Sequence, residues 1–66
     1  MSVIKVIELL AESEKGWEDA AANAVKEASK SLKNIRSVNI TNQSCVVENG
    51  EISKYRINCK VSFSVE

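Results

Sequence analysis

The 66-residue sequence contains no histidine and no proline, and only two glycines and two cysteines. Without histidine it lacks the usual general base near neutral pH, and two cysteines are too few for a four-ligand zinc site of the ordinary kind. The sequence has no glycine-rich phosphate-binding loop, and none of its serines lies in a nucleophile-elbow context. We therefore predict that the protein is not an enzyme.

A surplus of charge of one sign is also missing. Nine basic and nine acidic residues cancel, so the composition does not predict binding to nucleic acid or to an anionic membrane. The apolar run from Val3 to Leu10 is interrupted by Lys5 and Glu8. It is too short to span a bilayer or to form the core of a signal peptide. We expect a cytoplasmic protein whose partners are neither nucleic acid nor membrane.

The length of the chain limits the size of its core. Sixty-six residues with 44% hydrophobic content predict one globular domain, 1–66. Ordering a chain costs roughly 1.5 kcal/mol per residue, and so small a core barely offsets that cost. Small folds therefore gain stability from disulfides, metals or partner chains. With no histidine and only two cysteines, the chain cannot build a four-ligand zinc site, and it is expected to form a homo-oligomer.

Apolar residues recur with helical spacing between Gly16 and Leu32. The stripe consists of Trp17, Ala20, Ala21, Ala24, Val25, Ala28 and Leu32. Its alanines let another backbone approach closely, and the opposite side carries acids early and lysines late, which complements the helix dipole. Either Ser13 or Gly16 can occupy the N-cap position. Asn34 is the candidate for a left-handed residue that ends the helix.

Three strands complete an α+β fold with the order β-α-β-β. The strand at 2–10 has apolar residues on both faces, which predicts cover from another subunit. Asn49-Gly50 is a strong signal for a hairpin between the other two strands. A turn centred there pairs Val38 with Val61, Ile40 with Cys59, Asn42 with Ile57, and Ser44 with Tyr55. The alternating apolar residues from Tyr55 to Val65 are expected to face the helix.

The polar side of this hairpin is the candidate functional surface. The same register places Ser37 opposite Ser62, Asn39 opposite Lys60, Thr41 opposite Asn58, and Gln43 opposite Arg56. Such a surface is typical of a solvent-facing sheet, and the alternative, functional interpretation is a polar lining for a cavity between subunits. Arg56 beside Gln43 is a candidate for recognising an anionic or amide-bearing ligand.

Trp17 and the cysteines are interpreted as structural residues. Trp17 at the first turn of the helix is predicted to be a core or interface anchor, and its alternative role is a stacking platform for a ligand. Cys59 is expected to face the helix as a small core residue. Cys45 is expected to point outward with Lys54, on the opposite face, so that the two thiols cannot form a disulfide.

The whole chain resembles the dodecin family. The residues that carry the resemblance are Ser-Val-Ile-Lys-Val-Ile-Glu-Leu at 2–9, Gly-Trp-Glu-Asp-Ala-Ala at 16–21, Ile35-Arg36, Tyr55-Arg56-Ile57, and Lys-Val-Ser-Phe at 60–63. The resemblance implies a three-stranded antiparallel sheet curled around one helix, and a hollow homododecamer. It also implies binding and storage of a small ligand. The flavin-binding members hold riboflavin or FMN between tryptophans, with a glutamine at the ring edge.

This sequence departs from the flavin-binding members at both positions. Ser37 stands where the stacking tryptophan is found, and Arg56 stands where the glutamine is found. The resemblance therefore implies weakened flavin binding and a likeness to the calcium-binding dodecins. Carboxylates available to a hard cation are Glu8, Glu48, Glu51 and Glu66. The sequence assigns none of them a place in a metal site, and a structural shell without a dedicated ligand is the alternative function.

Overall fold

A computed structural model describes residues 3–65 of the chain. Four elements follow one another, namely β1 (Val3–Ser13), α1 (Trp17–Ala28), β2 (Ile35–Glu48) and β3 (Glu51–Val65). The three strands form one antiparallel sheet in the order β1-β3-β2. The predicted α+β fold with β-α-β-β order is thus confirmed. The predicted start of the first strand at residue 2 and the carboxylate of Glu66 lie outside the described residues.

Strand β1 ends three residues later than the sequence pattern predicts, at Ser13. The segment from Ala11 onward was expected to be a connection, yet it continues the ladder as far as the pair of Ser13 with Tyr55. The side chains of this segment also continue to alternate between the two faces of the sheet. Ala11 packs toward the helix, and Glu12 pairs with Arg56 on the other face. The predicted strand ended at Leu10, its last large apolar residue. The observed ladder with β3 continues to Ser13.

Helix α1 packs its alanine stripe against the middle of the sheet. Ala20, Ala24 and Ala28 are buried, and Ala20 and Ala24 belong to one cluster with the fully buried side chains of β3. Those side chains are Ile57, Cys59 and Val61. Small side chains on the helix and larger ones on the strand let the two backbones approach closely. The predicted helix–sheet core is confirmed, with the β3 residues as its largest members.

The start of α1 resolves the two alternatives for its cap. Gly16 occupies the N-cap position, and no side chain caps the helix. Its carbonyl oxygen accepts the first helical hydrogen bond, from the backbone N–H of Ala20 at 3.0 Å. Ser13 instead orders the preceding connection, because its hydroxyl donates to Asp19 Oδ2 at 2.6 Å and accepts from the N–H of Lys15 at 2.9 Å.

The end of α1 comes earlier than predicted. The helix stops at Ala28 and not at Leu32, because the backbone N–H groups of Lys30 and Ser31 bond to carbonyl oxygens three residues back instead of four. The Ser29 hydroxyl also donates to the carbonyl oxygen of Val25 at 2.7 Å, which competes with continuation of the helix. Asn34 has the predicted left-handed conformation, with φ of 62°. It lies directly before β2, however, and does not end the helix.

Register shifts in the β2–β3 hairpin change several predicted pairs. Arg36 and Thr41 are extra residues on β2, and Ser53 is an extra residue on β3. Outside the segment between Thr41 and Ser53, the pairs of β2 from Ser37 onward follow the prediction, including Val38 with Val61 and Ile40 with Cys59, whereas Ile35 pairs with Phe63, one step away. Pairs inside it do not. Asn42 pairs with Asn58, Gln43 with Ile57, Ser44 with Arg56, and Cys45 with Tyr55.

The shifted register changes the explanation for the unpaired thiols. Cys59 faces the helix and is 1% exposed, as predicted. The prediction that Cys45 points outward with Lys54 is wrong, because the bulge at Ser53 pairs it with Tyr55 on the helix side. Both thiols are free. Cys45 and Cys59 are separated by four residues along the ladder, or roughly 13 Å, which exceeds the reach of a disulfide.

Candidate functional site

The outer face of the sheet, meaning the side opposite α1, combines an apolar strip with a polar strip. The apolar strip lies on β1 and consists of Ile4, Val6 and Leu10, with exposed fractions of 46%, 55% and 51%. The polar strip lies on β3 and β2. Its members are Arg56, Asn58, Lys60, Ser62, Ser37, Asn39, Asn42 and Ser44. A polar surface next to an uncovered apolar one is the place where both a ligand and another subunit can bind.

Arg56 forms an ion pair with Glu12 in the polar strip. Its Nε atom lies 3.2 Å from Glu12 Oε2, and the two side chains are 37% and 41% exposed. Within residues 3–65 the Nε atom is buried and makes no aligned hydrogen bond, so the contact is electrostatic. The terminal nitrogens of the guanidinium can still donate to an anion or a carbonyl group. Arg56 is therefore positioned on the predicted face, already paired with a carboxylate.

Glu12 is a site residue that the sequence reasoning missed. The prediction ended the first strand at Leu10, which left Glu12 in a connection. The sequence nevertheless indicates its position, because Glu8, Leu10 and Glu12 are two residues apart and therefore lie on the same face of a continuing strand. The structure places Glu12 directly opposite Arg56 and Glu8 directly opposite Lys60. Each of these two acids on β1 thus has a cation beside it on β3.

Ser37 lies on the same face as Arg56 but far from it. The Ser37 hydroxyl is hydrogen-bonded to that of Ser62, its partner on β3. Ser62 and Arg56 are six residues apart along the strand, which corresponds to roughly 20 Å. One protomer therefore does not bring the two predicted ligand positions together, and a site that contains both requires residues from a second copy of the chain.

Gln43 does not lie beside Arg56, and the predicted pair is wrong. The extra residue Thr41 shifts the register, so that Gln43 pairs with Ile57 and Arg56 pairs with Ser44. Gln43 consequently lies on the helix side of the sheet. There it lines a shallow cleft with Trp17 and Glu18 at the start of α1.

Trp17 has the anchoring role that the sequence predicted. Its ring packs edge-to-face on Tyr55 with the centroids 5.2 Å apart, and its indole N–H donates to the carbonyl oxygen of Ser44 at 3.1 Å. The side chain of Ser44 belongs to the outer face, opposite Arg56. Trp17 therefore holds the backbone of β2 at Ser44, the residue of the polar strip that lies opposite Arg56 on β3.

Residues 3–65 of one protomer do not form a metal site. Among residues 3–65, no three His, Cys, Asp or Glu side chains are close enough together to hold an ion. Glu8 and Glu12 face Lys60 and Arg56, which offset their charges. A calcium ion needs six to eight oxygen ligands. The carboxylates among residues 3–65 of one protomer do not supply that number of ligands at one place.

The flavin requirement is not met either. At position 37 a hydroxyl, and no aromatic ring, lies on the outer face, so this chain offers no stacking surface there. At position 56 a guanidinium engaged by Glu12 occupies the place of an amide. The residues of this protomer thus do not fit a flavin sandwiched between aromatic rings.

Fold and sequence together define a family. Residues 3–66 match the sequence model of the dodecin family, and the chain belongs to that family. No helix in the described part of the chain is long and apolar enough to cross a membrane.

The similarity extends over nearly the whole of several dodecins. Calcium dodecin from Mycobacterium tuberculosis is 40% identical over 65 residues, which are 98% of this chain and 92% of that protein. Its crystal structure, described as a calcium-chelating immunodominant antigen with a novel calcium-binding site, superposes with a TM-score of 0.85 at 41% identity and covers 98% and 93% of the two chains. The dodecin of Streptomyces coelicolor gives a TM-score of 0.94 at 26% identity, with coverage of 98% and 93%.

Proposed function

We propose that this protein is a non-enzymatic, dodecin-like binding and storage protein whose subunits assemble into a hollow homododecamer. The observation that carries the proposal is the apolar strip of β1. Ile4, Val6 and Leu10 are each about half exposed in the protomer, on a strand whose other face packs on the core. Burying apolar surface stabilises by roughly 25 cal/mol per Å², so covering this strip with further copies compensates for a thin core.

Within this proposal the stored species is a small ligand or a metal ion, and calcium is the ion to test first. The 40% identity with calcium dodecin supports that choice. Because Glu8 and Glu12 are offset by cations in one protomer, the proposed site takes carboxylates from several subunits around a symmetry axis. Riboflavin and FMN are the second class of ligand, with weakened binding at Ser37 and Arg56.

The alternative function is a structural shell with no dedicated ligand. One observation favours it, namely that the side chains at both predicted ligand positions of the polar strip already have partners within the protomer. Arg56 contacts Glu12 at 3.2 Å, and Ser37 bonds to Ser62. A surface satisfied in this way has fewer groups to offer to a ligand.

The proposal also includes a single domain over 1–66 and a cytoplasmic location, as the sequence predicts.

Calcium titration of the purified particle tests the ligand. The protein is stripped with a chelator and titrated with Ca²⁺ in a calorimeter, with Mg²⁺ as the comparison ion. A stoichiometric heat with Ca²⁺ supports storage of an ion, and the Glu8→Gln variant then shows whether β1 carboxylates contribute. If neither Ca²⁺ nor riboflavin binds to an intact particle, the storage function is wrong and the structural shell remains.

A further inference from the structure

The turn between β2 and β3 places Asn49 directly before Gly50 at the far end of the hairpin. Both residues have left-handed backbone conformations, with φ of 53° and 77°, and they connect the pair of Glu48 with Glu51. This is the geometry of a two-residue type I′ turn, for which Asn-Gly is a preferred sequence. Both residues are exposed. A side-chain carbon built at Gly50 would meet no non-neighbouring atom of residues 3–65 within 4 Å, so its backbone is unshielded.

The tip of the hairpin, residues 47–52, lies past the end of β1. The last residue of β3 that pairs with β1 is Tyr55. Val47 and Ile52 pair at the base of the tip and are 63% and 54% exposed, and the extra residue Ser53 interrupts the ladder next to them. A two-stranded ribbon has little stability of its own. Segments of this kind open locally while the rest of the protein stays folded.

An asparagine that precedes a glycine can convert its own side-chain amide without an enzyme. The backbone nitrogen of Gly50 gives up its proton and forms a bond to Cγ of Asn49, and the side-chain nitrogen leaves as ammonia. The product is a five-membered succinimide ring. Water then adds to one of the two carbonyl carbons of the ring, which opens to aspartate or isoaspartate. Glycine favours the first step because it has no side chain to shield its nitrogen. Water is the sole co-reactant, and no atom is oxidised or reduced.

The closed turn keeps the reacting atoms apart. In the left-handed conformation of Asn49 the nitrogen of the next residue lies roughly opposite Cβ, seen along the Cα–C bond, whereas ring closure needs both on the same side. The nitrogen of Gly50 therefore reaches Cγ only after the turn has opened. We propose that Asn49 is a site of spontaneous deamidation in the folded protein, and that local opening of the hairpin tip sets the rate.

The two products differ in their effect on the hairpin. Asp-Gly suits the same type of turn, so aspartate lets the tip close again with an added negative charge. Isoaspartate routes the backbone through the former side chain, which adds a carbon atom to the turn and removes its two-residue geometry. Either product places a third carboxylate beside Glu48 and Glu51, which already face each other, and like charges across a strand pair are destabilising. Deamidation also ends the formal neutrality of the chain.

Timed incubation of the purified protein at mildly alkaline pH, folded and in denaturant, tests the site. Peptide mass mapping follows the conversion of amide to carboxylate at each asparagine, and a methyltransferase specific for isoaspartate labels that product. Asn34 is the internal control. It is also left-handed, with φ of 62°, but it precedes Ile35, whose branched side chain shields the backbone nitrogen. We expect conversion of Asn49 well ahead of Asn34, and a rate in the folded protein about tenfold or more below that in denaturant.

The double variant Val47→Ala with Ile52→Ala distinguishes local opening from global unfolding. It removes the apolar pair at the base of the tip, so the rate in the folded protein should rise by about two- to fivefold, as the usual contribution of a cross-strand pair implies. The rate in denaturant should stay the same. Ala24→Leu is the control, because it overpacks the core and leaves the tip unchanged. It should not alter the rate at Asn49.

Several outcomes would overturn the proposal. An intact Asn49 in the folded protein, together with ready conversion in denaturant, would mean that the tip does not open. Equal rates in the two conditions would mean that the turn gives no protection. Conversion of Asn34 as fast as Asn49 would mean that the Asn-Gly turn is not a distinct site. Equal acceleration by Ala24→Leu would place the reaction in the globally unfolded chain.

Discussion

Thr41 on β2 and Ser53 on β3 are extra residues on neighbouring strands, and the register shift that one introduces is reversed by the other. Between them, five residues of β2 pair one step away from the register that holds on either side. Two hydrogen bonds accompany the shifts, since the Thr41 hydroxyl donates to the carbonyl oxygen of Asn58 at 3.1 Å and the Ser53 hydroxyl donates to that of Val46 at 3.2 Å. Thr41 and Ser53 therefore determine which side chains of residues 42–46 on β2 face the helix.

Deleting Thr41 should lower the free energy of unfolding by about 0.5–1.5 kcal/mol, the usual contribution of one hydrogen bond. The deletion keeps every strand pair, because Ile40 with Cys59 and Asn42 with Asn58 are already successive pairs along β3. It removes the bond from the Thr41 hydroxyl to the carbonyl oxygen of Asn58. Thermal unfolding compares the deletion with Thr41→Val, which removes the hydroxyl alone. A much larger loss for the deletion would contradict the account, since it would mean that the register depends on the extra residue itself.

Ala24→Leu should lower the free energy of unfolding by about 1–3 kcal/mol, because overpacking a tight core costs that much. Ala24 is 4% exposed and lies in the cluster with Ile57 and Cys59, where three extra carbon atoms have no room. Ala22→Leu is the matched control, since Ala22 lies on the same helix and is exposed. Denaturant unfolding at equal protein concentration measures both. Equal midpoints would show that helix and sheet are not closely packed at Ala24.

Burial raises the pKa of the Cys59 thiol, which gives its contribution to stability a definite pH dependence. A thiol titrates near about pH 8.5 in an unfolded chain. Below that value Cys59 is protonated in both states and its contribution is complete. As the pH rises from there through the higher folded-state pKa, the folded protein binds more protons than the unfolded chain, so the free energy of unfolding decreases. Cys59→Ala should show a smaller decrease above about pH 8.5.

The same burial should protect the thiol from alkylation. In the Cys45→Ser variant, which leaves one thiol, iodoacetamide at pH 8 should modify Cys59 only after denaturant is added, because a thiolate must be exposed to react. Mass spectrometry follows the modification. Rapid reaction of the native variant would mean that the sheet opens at Cys59 or that the residue is not in the core.

Much of the fold could be predicted because its signals are local. The alanine stripe of α1, the alternation from Tyr55 to Val65 and the Asn49-Gly50 turn each specify an element without knowledge of the others. The bulges could not be predicted in this way, since an extra residue such as Thr41 or Ser53 leaves the pattern of its own strand nearly unchanged. Only the pairing of two strands reveals it.

The candidate site was harder to predict than the fold for the same reason. Arg56 and Ser37 were placed on the correct face, since both lie in segments where alternation is regular. Gln43 was misplaced because the bulge at Thr41 reverses its face. Glu12 was missed because a charged residue at the end of a strand resembles the start of a loop. Its role depends on Arg56, forty-four positions later in the chain.

Riboflavin should bind at least about tenfold more weakly than to a dodecin that carries the stacking tryptophan, a difference of about 1.4 kcal/mol. Ser37 offers no aromatic surface, and aromatic pairs contribute about 0.5–1.5 kcal/mol beyond area burial. The double change Ser37→Trp with Arg56→Gln should restore part of the affinity. Quenching of riboflavin fluorescence measures it, and Asn39→Trp is a control on the same face. Tight binding by the unmodified protein would mean that other residues form the flavin site.

The central claim is that this protomer is completed by copies of itself, and native mass spectrometry of the purified protein at micromolar concentration tests it most directly. The account predicts one dominant species with twelve times the 7.3 kDa mass of the chain. It also predicts that Val6→Lys, in the middle of the apolar strip of β1, dissociates that species. A folded and stable species with the mass of a single chain would contradict the account.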